Sequence, residues 1–94
     1  MNLIQIVNRL LAISFIDVGA FPMFFGHKQA VAIMVDNEKL RKQVLEVLNP
    51  SEKKSLARCT IQTITNRKND TFIIIKYHRE LKTFEDKRRY LQYI

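Results

Sequence analysis

Among 94 residues there are one cysteine, two glycines, two prolines and no tryptophan. A single cysteine excludes an internal disulfide framework and a cysteine-built zinc site. Gly19 and Gly26 stand apart, so there is no glycine-rich phosphate loop. So few glycines and prolines also argue against a loop-rich fold. Acidic side chains are scarce: nine, against sixteen lysines and arginines, for a formal net charge of +7. No apolar run reaches membrane-spanning length. Positions 10–25 come nearest, but Asp17, Gly19 and Pro22 interrupt them. A span needs about twenty mostly apolar residues, and a carboxylate near its middle is costly in lipid. The same stretch offers only Phe24-Phe25-Gly26 as a cleavage site, a poor one. One arginine and one serine in the first 25 residues are too few for a mitochondrial presequence. Membrane partners are therefore not expected, and Asn69-Asp70-Thr71, without a signal peptide, reads as a chance glycosylation match.

What is present describes one small globular unit: 47% hydrophobic and 27% charged residues. The positive excess is uneven. Residues 1–50 carry five basic and four acidic side chains, residues 51–94 eleven and five. A basic half on a small domain is the footprint of a phosphate-backbone partner. The plainer reading of the same charge is a solvated face that keeps the chain soluble.

Leu3, Ile6, Val7, Leu10 and Leu11 recur at helical spacing, which predicts an amphipathic helix over about 2–14. Residues 15–18 are ambiguous between helix end and short strand. Phe21, Met23, Phe24 and Phe25 make an apolar connector, read as folding over the core or as a docking segment for a partner. Residues 29–35 read as a strand, apolar on both faces and so expected to be covered on both. Asp36 or Asn37 is the expected N-cap of a helix striped by Leu40, Val44, Val47 and Leu48 and stopped by Asn49-Pro50. Residues 51–56 form a polar linker. Two β-branched runs, 58–66 and 71–77, flank Arg67-Lys68-Asn69-Asp70 and predict a β-hairpin. The different parity of Ile61 and Ile64 predicts a bulge in the first of them. Leu81, Phe84, Leu91 and Ile94 predict a last helix over 80–94, with Lys87 and Arg88 interrupting its stripe.

The expected fold is α+β, a two-layer sandwich. Residues 28–94 form a β-α-β-β-α core domain. Residues 1–27 form an extra N-terminal amphipathic helix and the apolar docking segment. Neighbouring parallel strands across the β-α-β step would be right-handed.

Catalytic chemistry is not evident. His27 and His78 lack cysteines or carboxylates at metal-ligand spacing. Cys59 at a strand start reads as a small buried hydrophobe. The serines have no nucleophile context. Glu85 and Asp86 are adjacent on a helix and point different ways. No cofactor, no metal and no enzymatic activity are expected. Two basic clusters stand out instead: Arg67-Lys68 in the hairpin turn, and Lys87-Arg88-Arg89 followed by Tyr90. Arginine makes bidentate phosphate contacts and stacks on bases, and such contacts position a molecule without reading sequence. Ordinary surface charge is the competing explanation, with Glu85 and Arg89 as an i,i+4 pair. A glycine-rich sheet with aromatic residues, as in an RNA-recognition module, is not visible, nor is a GxxG loop.

Residues 29–94 resemble the Pcc1-like small subunits of the KEOPS tRNA-modification complex. Val31-Ala32-Ile33-Met34-Val35 resembles the first strand, and 37–48 closed by Asn49-Pro50 the first helix. The stretch 71–77 resembles the last strand, and Tyr90-Leu91-Gln92-Tyr93-Ile94 the end of the last helix. The sequence departs from that family at Thr83-Phe84 and Arg88-Arg89, and in its N-terminal helix. The resemblance implies a non-catalytic, dimerising accessory subunit with no catalytic residues to carry over.

The leading expectation is a non-catalytic small basic subunit of a larger RNA-associated assembly, either a ribonucleoprotein or ribosomal component or a tRNA-modification accessory subunit. Arg67, Lys68, Lys87, Arg88, Arg89 and Tyr90 would face RNA, and Phe21, Met23, Phe24 and Phe25 would face protein subunits, with a homodimer as one form. The expected compartment is the cytoplasm, with nucleus and mitochondrion left open. The rival is a small protein-binding regulator or inhibitor, for example viral or phage-encoded, acting on an acidic protein.

Overall fold

The computed structural model describes residues 2–80. Two helices, α1 (Leu3–Ile13) and α2 (Glu38–Val47), pack on one face of a four-stranded antiparallel sheet. The strands are β1 (Ala20–Phe25), β2 (Lys28–Val35), β3 (Cys59–Thr65) and β4 (Thr71–Glu80), in the order β1-β2-β4-β3. This is the expected two-layer α+β class. The expected last helix at 81–94 lies outside the described residues, and Glu80 belongs to β4.

Helix α1 starts with a reciprocal cap. The Gln5 N–H donates to Asn2 Oδ1 and the Asn2 N–H to Gln5 Oε1, both at 3.1 Å, which satisfies two donors that a helix start otherwise leaves open. The Leu3 N–H donates to Gln29 Oε1 of β2, also at 3.1 Å. Gln29 is buried, so this bond ties the helix end to the sheet away from water. Gln29→Leu should strand that N–H and lower stability by about 1–3 kcal/mol. An unchanged denaturation midpoint would contradict the role given to this bond.

The other end of α1 breaks a local rule. The Phe15 N–H donates to the Ala12 carbonyl (3.1 Å) and the Ile16 N–H to the Leu11 carbonyl (3.0 Å), the Schellman pattern. The residue that must turn left-handed is Phe15, at φ 56° and 96% exposed. Glycine is usual at that place, because a left-handed conformation costs other residues about 1–2 kcal/mol. Part of the gain is returned through glycine's larger entropy loss, about 0.5–1 kcal/mol. Phe15→Gly should therefore raise the melting temperature by a few degrees. A drop on thermal unfolding would show that the exposed ring contributes something the backbone argument omits.

One core joins the elements. Leu3, Ile4, Val7 and Leu11 of α1 pack with Val31, Ile33, Val44, Leu48, Ile73 and Ile75. Leu56, in a short 3-10 turn at Lys54–Leu56, closes the core near the start of β3. The expected division at residue 27 falls inside a hairpin turn, and both sides of it share this core.

The sheet corrects further expectations. Residues 20–25 are a strand, not a connector, paired from Ala20↔Ile33 to Phe25↔Lys28. Pro22 is tolerated because β1 is an edge, and Gly26 at φ 61° makes the two-residue turn into β2. The irregularity in the sheet lies between Lys28 and Ala30, while β3 pairs with β4 without a shift from Cys59↔Tyr77 to Thr65↔Thr71. Strands β2 and β3 are parallel but not neighbours: β4 lies antiparallel between them, a split β-α-β arrangement. Among the described residues, helices lie on one face of β2, and Ala30 on its other face is also buried.

Candidate functional site

Strand alternation decides what the face away from α1 and α2 presents. Three rows cross it: Phe21–Ala32–Ile74–Gln62, Met23–Ala30–Lys76–Thr60, and Met34–Phe72–Ile64. Phe21 is 54% exposed and Phe25 40%. The small side chains of Ala30 and Ala32 leave β2 low between larger neighbours on β1 and β4. The result is an apolar face bordered by phenylalanines, which no helix covers among the described residues.

Its cations gather at the two ends. Lys76 Nζ lies 4.3 Å from the centroid of the Phe25 ring, a cation–π contact that holds the ammonium at the margin of the apolar rows. Arg58, exposed, immediately precedes β3 at the same end, where its carbonyl accepts from the His78 N–H. At the far end, Arg67 and Lys68 occupy the apex of the β3–β4 hairpin, both exposed.

That apex is fixed by its own sequence. Asn66 Oδ1 accepts from the Lys68 and Asp70 N–H groups, each at 2.9 Å, and the Asn69 N–H donates to the Asn66 carbonyl at 3.1 Å. Asn69 takes the left-handed conformation at φ 65°, which asparagine tolerates. A turn closed this way presents two cations from a defined position rather than from a loose loop.

The expected contact residues are thus partly brought together. Phe21, Met23 and Phe25 share the open face. Phe24 points the other way and packs against the helix-side core, so it leaves the expected docking set. Arg67 and Lys68 stand at the hairpin tip as expected, about 30 Å along the sheet from Arg58 at the strand rise of roughly 3.4 Å per residue. Lys87, Arg88, Arg89 and Tyr90 lie outside the described residues. Sequence reasoning missed the open-face role of Phe72, Lys76 and Met34. The available signal was Gly26-His27 between two apolar runs, which reads as a hairpin turn once Pro22 is allowed on an edge strand.

Cys59 is buried opposite Tyr77, and burial pushes its thiol up to about 11. Little thiolate exists near neutrality, unlike the lowered values of reactive cysteines. Among the described residues no three His, Cys, Asp or Glu side chains gather at a metal-binding spacing. Among them, too, no helix is long and apolar enough to cross a membrane. Residues 10–25, the one candidate span, are the end of α1, an irregular link and β1. Comparison with protein-family models, with curated proteins and with solved structures gives no match.

Proposed function

We propose that the chain is a non-catalytic subunit of a larger RNA-associated assembly and lays single-stranded RNA along its open sheet face. The observation that carries this reading is the placing of Lys76 and Arg58 at one end, and of Arg67 and Lys68 at the other, of a face bearing Phe21, Phe25 and Phe72. Bases stack on aromatic rings whatever their identity, while cations track the phosphates. Such a surface holds RNA without selecting its sequence. The net charge of +7 acts in the same direction. A ribonucleoprotein or ribosomal component and an accessory subunit of a tRNA-modifying complex, as in the Pcc1-like resemblance, are two forms of this proposal, with the cytoplasm as the proposed compartment.

A protein-binding regulator is the second reading, favoured by exposed Met34 and Ile64, which offer apolar area without a stacking plane. Affinity capture of the tagged chain from its native cell, with and without RNase, separates the two. Partners lost on RNase treatment support the RNA reading. One stoichiometric protein retained after RNase supports the regulator.

A further inference from the structure

We propose that the outer edge of β3 takes up an extended, acid-flanked segment of a partner protein by strand addition. This inference uses the backbone edge and the helix side of β3 rather than the face proposed for RNA, and shares only Arg58, Arg67 and Lys68 with that reading.

The two outer strands of the sheet differ. Strand β1 carries Pro22, which has no N–H to offer an incoming strand. Strand β3, Cys59-Thr60-Ile61-Gln62-Thr63-Ile64-Thr65, contains no proline and no charge, and pairs regularly along its whole length. Protein edges are ordinarily blunted by lysine, proline or a bulge. None of these is present, and among the described residues no strand pairs with this edge.

A second feature lies on its helix side. A cleft of about 410 Å³ is lined by Val35, Arg41, Thr63, Thr65 and Thr71, together with Asp36–Glu38 at the start of α2. Thr63 and Thr65 point toward the helix layer, yet both are exposed. A residue added beside Thr63 sends its side chain to the same side, into this cleft. In strand addition the main chain supplies affinity and pockets for alternate side chains supply selectivity.

Charge identifies the occupant. Arg58 precedes the strand, with Lys53 and Lys54 in the preceding turn, and Arg67 and Lys68 follow it. An uncharged edge between two cationic ends complements a segment that is acidic at both ends and uncharged between. A second copy of this chain does not fit. Full antiparallel overlap of β3 with itself brings Arg58 of one copy beside Asn66 and Arg67 of the other, and does so twice by symmetry. The cationic ends of the two copies then meet with no acidic side chain of either strand between them, which opposes the pairing.

The test uses the full chain and a synthetic peptide of alternating threonine and valine with two glutamates at each end. Amide exchange, read residue by residue, should slow within Cys59–Thr65 when this peptide is added. An Arg58→Glu/Arg67→Glu variant should bind it at least tenfold more weakly, and should instead bind the same peptide flanked by lysines. That rescue also shows the variant to be folded. No binding by the wild-type chain, equal binding of glutamate- and lysine-flanked peptides, undiminished binding after alternate backbone nitrogens of the peptide are methylated, or protection outside β3 would each overturn the proposal.

Discussion

Replacing Ile4 with alanine is expected to cost about 3 kcal/mol of folding stability, the middle of the range for burying a large aliphatic and then deleting it. Ile4 is completely buried, in the same cluster as Ile33 and Ile75 of the central strands. Ile33→Ala should cost a similar amount. A domain of this size has about 5–15 kcal/mol in total, so either change removes a large fraction. Ile13→Ala, at an exposed position on the same helix, should stay within about 0.5 kcal/mol. Chemical denaturation of the three variants checks the set. Equal, small effects at Ile4 and Ile13 would mean that α1 rests on the sheet without being part of its core, and that the first 27 residues form a separable segment after all.

Reversing Arg67 and Lys68 to glutamate is expected to weaken binding of single-stranded RNA at least tenfold near 0.1 M salt, and to reduce the steepness of its salt dependence by about two contacts. Both side chains are exposed at the tip of a hairpin whose hydrogen bonds come from Asn66 and Asp70. The fold should therefore be unaffected. Phe25→Ala should act differently. Loss of one stacking platform is worth about 1–3 kcal/mol, so affinity should fall while the salt slope changes little. The Lys76 contact with the Phe25 ring makes some loss of slope at that position the sign that the cation depends on the ring for its placement. Equal affinity and equal slope in both variants would remove the hairpin tip and the open face from the interface.

Much of the architecture was legible because local chemistry and tertiary packing agree. Leu3, Val7 and Leu11 lie on the helical face that becomes buried. Asn37 caps α2 through its side chain, accepting from the Leu40 N–H at 2.8 Å, and Asn49-Pro50 follows the helix end. The β3–β4 hairpin follows from two β-branched runs around a polar turn. The first strand was illegible for the opposite reason. Phe21-Pro22-Met23-Phe24-Phe25 is apolar at every position, so it has no alternation to read, and proline ordinarily argues against a strand. Its partner β2 supplies the missing information through long-range pairing. The predicted bulge in β3 failed because Ile64 does not need the core: it lies on the open face, so the parity change between Ile61 and Ile64 is the normal alternation of a regular strand. The cover expected on the second face of β2 rested on its apolar residues alone. Ala30 and Ile74 on that face are buried, as such a cover requires, although no helix lies above them among the described residues.

The candidate site was half legible. Charge clusters can be counted from sequence, so Arg67 and Lys68 could be named. Their separation from Lys76 and Arg58, and the aromatic rows between them, depend on register, which no single segment reveals.

The most direct measurement is the affinity of the full chain for a fluorescently labelled single-stranded RNA as salt is raised from about 0.05 M to 0.5 M. With Arg58, Lys76, Arg67 and Lys68 as the contributing cations, the logarithm of the affinity should fall against the logarithm of salt with a slope of about −3, at roughly 0.7 per neutralised phosphate. No binding at the lowest salt, or an affinity that stays level across the range, would contradict an RNA-associated role for this surface.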